Sequence, residues 1–344
     1  MKDHPILKAA RGEKSDYVPI WIMRQAGRYS AKYREIRANA GSFMDLCRNP
    51  KLAAEVTLLP IHEIGVDAAI LFSDIFVPVE KMGINIDFVS GKGPVLSPVV
   101  KTVDDVEALK VPEPEKDLPY VIETIQLIKK NLTDRPLIGF SGAPFTLASY
   151  ILEGGSTKDY LAAKATMWNS PELWDKLMTK LSEVVTKYLI SQIEAGVDLI
   201  QIFDSWMGVL SAEDYENHVF PYTEKIVNSI REKYPETPII HFGVNSSHLL
   251  GINNRLNVDV IGLDWRTDIS STIEKIDKSI QGNLDPVALF ADDRIIVEKV
   301  ERVVMEGKKA RGHIFNLGHG ILPKTDPTKA KFLVETVHKI GKTV

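Results

Sequence analysis

Eight short apolar runs recur along the chain, and most are separated by longer stretches of helical pattern. The runs are Val18–Trp21, Ala68–Phe72, Leu137–Phe140, Leu199–Phe203, Ile239–Phe242, Val260–Leu263, Ser279–Gln281 and Gly312–Phe315. Most are four or five residues long and almost wholly apolar, as strands covered on both faces must be. Between them, segments such as Pro171–Ala195 and Tyr215–Tyr234 carry apolar residues three and four apart, the spacing of an amphipathic helix. Strand alternating with helix predicts a parallel sheet, and eight repeats predict its closure into a (β/α)₈ TIM barrel. No second core is evident. The expectation is a single-domain α/β barrel over residues 1–344, with an extended insertion at about 75–136.

An internal echo supports the repeat. Gly65-Val66-Asp67, Gly196-Val197-Asp198 and Asn257-Val258-Asp259 each precede a run. Gly or Asn at the first position suits the left-handed conformation that stops a helix. Each run then ends in polar residues, among them Arg24, Ser73-Asp74, Ser141-Gly142, Asp204-Ser205, Asp264-Trp265-Arg266 and Gly318-His319-Gly320. In a barrel these ends meet at one face, where catalytic groups collect.

The insertion holds an apolar-polar alternation, Ile84 to Val89, followed by Ser90-Gly91-Lys92-Gly93-Pro94, which reads as a hairpin. Pro112–Asp117 reads as a surface linker. The chain has 42 Lys and Arg against 46 Asp and Glu, a net charge of −4. That balance argues against a general nucleic-acid binder and leaves room for a local cationic pocket. One cysteine, Cys47 on an apparent helix, excludes an internal disulfide and a multi-cysteine metal site. Met1-Lys2-Asp3-His4-Pro5 lacks the apolar core of a secretory signal, and no apolar run reaches membrane-spanning length. The expected location is the cytoplasm.

Several residues could carry chemistry. Arg24 and Arg28, four apart, would share a face if their segment is helical, and guanidiniums suit bidentate grip on carboxylates or phosphates. Asp74 ends an apolar run, either as a desolvated anion or as a helix cap. Asp204 has the same two readings. Ser205 lacks the Gly-x-Ser-x-Gly elbow of a serine nucleophile. Tyr150 reads first as a packed tyrosine. His319, between two glycines, could hydrogen-bond a carboxylate, shuttle a proton or merely shape a turn. Phosphate binding after the last strands keeps a phosphate-ester enzyme open. No metal-ligating histidine spacing and no dinucleotide fingerprint appear, so no metal site is expected and the spacing alone points to a cofactor-poor barrel enzyme with an Arg-bearing pocket.

Taken together, six ordered blocks go further. Pro19–Tyr29, containing Met23-Arg24-Gln25-Ala26-Gly27-Arg28, resembles the N-terminal signature of the uroporphyrinogen decarboxylase family. Gly139–Leu147 resembles its second signature. Ala69–Ile75, Gln201–Ser205, Gly282–Pro286 and Asn316–Pro323 match further blocks in the same order. The resemblance spans roughly residues 5–340. It implies a cofactor-free (β/α)₈ enzyme of haem biosynthesis, usually a homodimer with facing clefts. Such an enzyme removes CO₂ from the four acetates of uroporphyrinogen III to give coproporphyrinogen III. It implies carboxylate binding and proton donation by Arg24 and Arg28, and a central pyrrole-facing carboxylate at Asp74. Contacts with side-chain carboxylates fall to Tyr150, Ser205 and His319, and packing on the macrocycle to Phe203. Two departures stand out. Asp204-Ser205 replaces a common Glu-Ser, and Tyr29-Ser30-Ala31 replaces Tyr-Leu-Pro or Tyr-Met-Pro. Superfamily methyltransferases with zinc sites and a non-catalytic tetrapyrrole binder are the alternatives.

Overall fold

A computed structural model describes residues 1, 3–89 and 91–342. Among the described residues seven strands form one all-parallel sheet in the order β1 (Ala69–Ile70), β4 (Leu137–Gly142), β5 (Leu199–Asp204), β6 (Ile239–Gly243), β7 (Val260–Gly262), β8 (Ser279–Gln281) and β9 (His313–Ile314). An antiparallel hairpin, β2 (Asn85–Val89) with β3 (Gly93–Ser97), lies in the insertion. Of the expected hairpin turn, Ser90 lies outside the described residues.

The sheet is curled. Gln281 Nε2 on β8 donates to Gln201 Oε1 on β5 at 3.0 Å, although β6 and β7 lie between them. Three strand spacings in a flat sheet would be about 14 Å. Trp21 Nε1 extends the chain by donating to Gln281 Oε1 at 2.8 Å.

Curling creates two cores. Ile138, Leu199, Ile240, Val260 and Ile314 face inward with Trp21 and Ala68, and Ile6, Leu7, Ala9 and Ala10 of the helix Pro5–Arg11 pack against them. Their strand neighbours Leu137, Ile200, Ile239, Ile261 and Phe315 belong to the outer core under the helices. Period-two alternation in each strand thus separates a filled interior from a helix-covered exterior.

The first expected run differs from the rest. Val18–Trp21 is not a strand but makes a single parallel bridge, Ile20 to Phe315. Its environment is nevertheless strand-like. Asp67 N–H donates to Ile20 O at 2.8 Å and its Oδ2 accepts from Ile20 N–H at 2.7 Å. Asp198 does the same to Leu137, and Asp259 to Ile239, at the starts of β4 and β6. The three aspartates of the sequence echo therefore perform one task, which is to tie the start of each strand to the segment before it. Gly65 and Gly196 adopt the expected positive φ, whereas Asn257 does not.

The helix Pro171–Ala195 matches its expected bounds, stopped by Gly196. The expected helix Tyr215–Tyr234 divides into Ala212–His218 and Phe220–Lys233, the second opening on Phe220-Pro221, where proline fits the first turn. Pro112–Asp117 is not plain linker, because Pro114–Asp117 forms one helical turn and buries Pro114. Among the described residues no helix is long and apolar enough to cross a membrane.

Candidate active site

The Arg24 segment is a chain of turns rather than a helix. The shared helical face expected for Arg24 and Arg28 is therefore absent. Arg24 instead takes φ +64°, an uncommon conformation for a residue with a Cβ, costing on the order of 1–2 kcal/mol. Side chains that carry no signal in the sequence hold it there. Gln25 Oε1 accepts from Ile22 N–H and its amide donates to Ala68 O, both at 3.0 Å. Asn316 Oδ1 accepts from Met23 N–H at 3.0 Å, and Ile321 N–H donates to Met23 O at 2.9 Å. Both amides are fully buried. After Arg28, Ser30 caps the helix Ala31–Asn39 by accepting from Tyr33 N–H at 3.2 Å, ordering the loop where the family pattern has proline.

Arg24 is the electrostatic hub. Its charge bears on Asp74, Tyr150 and His319. Asp74 follows β1 and its Oδ1 accepts from Phe76 N–H at 2.9 Å, a turn-capping bond. Asp74 thus closes the turn ahead of the helix Val77–Lys81, but it is not the helix cap, a position held by Phe76 without a side-chain bond. Burial pushes its carboxyl up to about 6, with the Phe76 N–H and Arg24 pulling the other way. Arg28 is exposed and does not figure among the charges bearing on Asp74.

Tyr150, on the helix Pro144–Glu153, lies edge-on to Phe76, centroids 4.9 Å apart, and 6.0 Å from Trp206. Burial raises its phenol, while Trp206 and Ser156 act against the rise. Phe203 sits between Phe140 and Phe242 at 5.6 and 6.0 Å, and it packs on the inner core as an apolar floor. Ser205 is half-buried directly after β5.

Asp204 points the other way, as strand alternation requires. It is fully buried, accepts from Thr146 Oγ1 at 2.9 Å and lies 4.0 Å from His241 Nε2. Burial pushes its carboxyl up to about 7 and the His241 imidazole down to about 4. Thr146 Oγ1 also accepts from Trp206 N–H at 3.3 Å, so this buried group shapes the turn that carries Trp206.

His319 is set by its two glycines. A methyl group on Gly318 would lie 2.2 Å from Trp265 N, and one on Gly320 would lie 2.4 Å from Arg24 Cδ. His319 Nδ1 accepts from Gly320 N–H at 2.7 Å, which leaves Nε2 to carry the proton and donate. Burial, with Arg24 and Arg266, drives its pKa down to about 4 against the pull of Asp264. At neutral pH His319 is therefore a neutral donor. Asp264, Trp265 and Arg266 complete this side; in sequence they are only a polar strand end. Among the described residues no three His, Cys, Asp or Glu side chains gather as metal ligands would.

The geometry now meets what is known of similar chains. The family described as uroporphyrinogen decarboxylase (URO-D) matches residues 1–340. The chain belongs to that family. The uroporphyrinogen decarboxylase of Carboxydothermus hydrogenoformans is 48% identical over 97% of this chain and 96% of its own. That of Staphylococcus haemolyticus is 45% identical over 98% of each. Among solved structures, a methyltransferase from Methanosarcina mazei superposes with a TM-score of 0.80 over 97% of both chains. At 21% identity that likeness concerns the fold alone.

Proposed function

We propose that this chain is a carboxy-lyase that decarboxylates the acetate side chains of uroporphyrinogen III to give coproporphyrinogen III, in porphyrin and haem biosynthesis. Family membership across nearly the whole chain supports the reaction, and one observation supports its placement. Arg24 stands in the electrostatic field of Asp74, Tyr150 and His319 at the strand ends.

Loss of CO₂ leaves an electron pair on the side-chain carbon. Protonation of the adjacent pyrrole carbon turns the ring into an iminium-like sink that accepts that pair as the C–C bond breaks, and the methylene then takes a proton to become methyl while the ring carbon releases its own, so the substrate supplies the role of a cofactor. Ring N–H groups and developing positive charge then call for an anion. Asp74 meets that need, being mostly ionised at neutral pH yet desolvated, where its charge acts strongly. Arg24 and Arg28 supply cations for the carboxylates, and the Nε2–H of His319 donates one neutral hydrogen bond. Tyr150 and Ser205 offer hydroxyls, and Phe203 offers the apolar floor. A guanidinium is a poor proton donor, so Arg24 serves better as a grip than as the acid.

We further propose that residues 18–21 complete a closed, single-domain (β/α)₈ barrel over residues 1–344. The common task of Asp67, Asp198 and Asp259 supports this, because Ile20 takes the place of a strand start. A cytoplasmic homodimer is the assembly proposed, and sedimentation tests its stoichiometry. The decisive experiment is anaerobic incubation with uroporphyrinogen III in the presence of EDTA. Appearance of coproporphyrinogen is the expected result; folded protein without product refutes the reaction. Stoichiometric zinc with methyl transfer to a thiol would instead favour the methyltransferase reading, and tight tetrapyrrole binding without turnover the non-catalytic one.

A further inference from the structure

The corner after β7 carries a cation that no step above uses. Arg266 lies over the Trp265 ring, its guanidinium carbon 3.9 Å from the centroid, and its side chain is 53% exposed. Its distance to Asp264 Oδ2 is 3.7 Å, too long for the hydrogen-bonded ion pair that would occupy a guanidinium. Asp264 is itself spent elsewhere. It accepts from Asn245 N–H at 2.6 Å, Thr267 Oγ1 at 2.9 Å and the backbone N–H of Arg266 at 3.2 Å. Among the described residues the Arg266 side-chain nitrogens donate no hydrogen bond.

The platform is firm where it matters. Asn283 Nδ2 donates to Asp264 O and Thr267 O, at 2.8 and 2.6 Å, bracketing the corner. Trp265 lies 6.2 Å from the His319 ring, tilted 72°. Gly318 abuts the Trp265 backbone and Gly320 abuts the Arg24 side chain, so His319 lies between the Trp265–Arg266 corner and Arg24. A guanidinium stacked on an indole keeps its planar fork of donors available and loses little freedom when a carboxylate arrives.

We propose that Arg266 is a third carboxylate-gripping guanidinium of the site, taking a peripheral carboxylate of the polyanionic tetrapyrrole across His319 from Arg24. This rests on the reaction proposed above and names a specificity residue within it. The grip is remote from the reacting carbon, so it acts on binding more than on the chemical step.

The test is anaerobic steady-state kinetics of wild type, Arg266→Gln and Arg266→Lys at several salt concentrations, with thermal melts as the fold control. Arg266→Gln is expected to raise KM for uroporphyrinogen about tenfold, to change kcat less than about threefold and to flatten the salt dependence of KM. Arg266→Lys should recover part of KM, since it restores charge without the planar fork. A folded Arg266→Gln protein with the wild-type KM and salt dependence overturns the proposal, as does a loss confined to kcat. If wild type turns over uroporphyrinogen and the variant is unaffected, only Arg266 falls; if wild type itself yields no product, the reaction and this inference fall together.

Discussion

Asp74 joins two properties that usually conflict. Its carboxyl is buried enough to titrate near 6, yet the proposed role needs it as an anion. Activity should therefore decline as pH falls through about 6. For stability the sign is opposite. Between 3.8 and about 6 the folded protein holds a proton that the unfolded chain releases, so ionisation costs stability as pH rises through that window. Asp74→Asn is accordingly expected to lower kcat by roughly 10²–10³-fold. The same variant should be as stable as wild type at pH 8 or more so, by about 1–2 kcal/mol. Turnover assays and denaturant melts on one preparation check both. Gly320 offers an independent probe, since a methyl there would meet Arg24 Cγ and Cδ at 2.8 and 2.4 Å. A flexible side chain can yield, so Gly320→Ala should displace the guanidinium and reduce kcat/KM about 10–100-fold. Its melting temperature should shift little. A variant as active as wild type would show that the position of Arg24 is unimportant.

Elements were legible where one short-range rule governs them. The helix Pro171–Ala195 has proline at its start, a buried face at three- and four-residue spacing, and a left-handed glycine at its end. The Arg24 turn was not legible, because its partners Gln25, Asn316 and Ala68 come from three places in the chain. Gln192 is a similar case. Its amide accepts from Phe140 N–H and donates to Phe140 O, both at 2.9 Å, satisfying β4 beyond the end of short β1. The first helix is another long-range element. A methyl on Gly312 would sit 2.1 Å from the carbonyl oxygen of Ala9, and backbone cannot move aside as a side chain can. Gly312→Ala should prise the helix Pro5–Arg11 from the inner core and cost about 2–4 kcal/mol. Urea unfolding measures this, and an unchanged midpoint would contradict the close approach.

At the scale of the molecule, the seam between residues 18–21 and the approach to β1 is its most economical joint. Asp67 there accepts from Ile20 N–H at 2.7 Å, Tyr17 Oη at 2.9 Å and His338 Nε2 at 2.8 Å. One carboxylate thus links the first run, the approach to β1 and the helix Pro327–Gly341. Asp67→Ala would leave the buried Ile20 N–H and two half-buried donors without this partner, at an expected cost of about 1–3 kcal/mol. Hydrogen exchange at Ile20 and Trp21 should quicken ahead of that in β4–β6, and the Arg24 turn beyond them should lose activity. Uniform protection in the variant would count against the seam. The chain alone determined the alternation of strand and helix, the parallel sheet, the helix stops at Gly65 and Gly196, and the family, since these rest on local pattern and ordered motifs. Only the tertiary structure decided that Asp204 faces backward while Asp74 is desolvated, that Arg24 adopts a left-handed backbone, and that Trp265 and Arg266 border His319. The physical reason is that burial, charge coupling and close backbone approach depend on groups far apart in sequence that a curled sheet brings within a few ångströms.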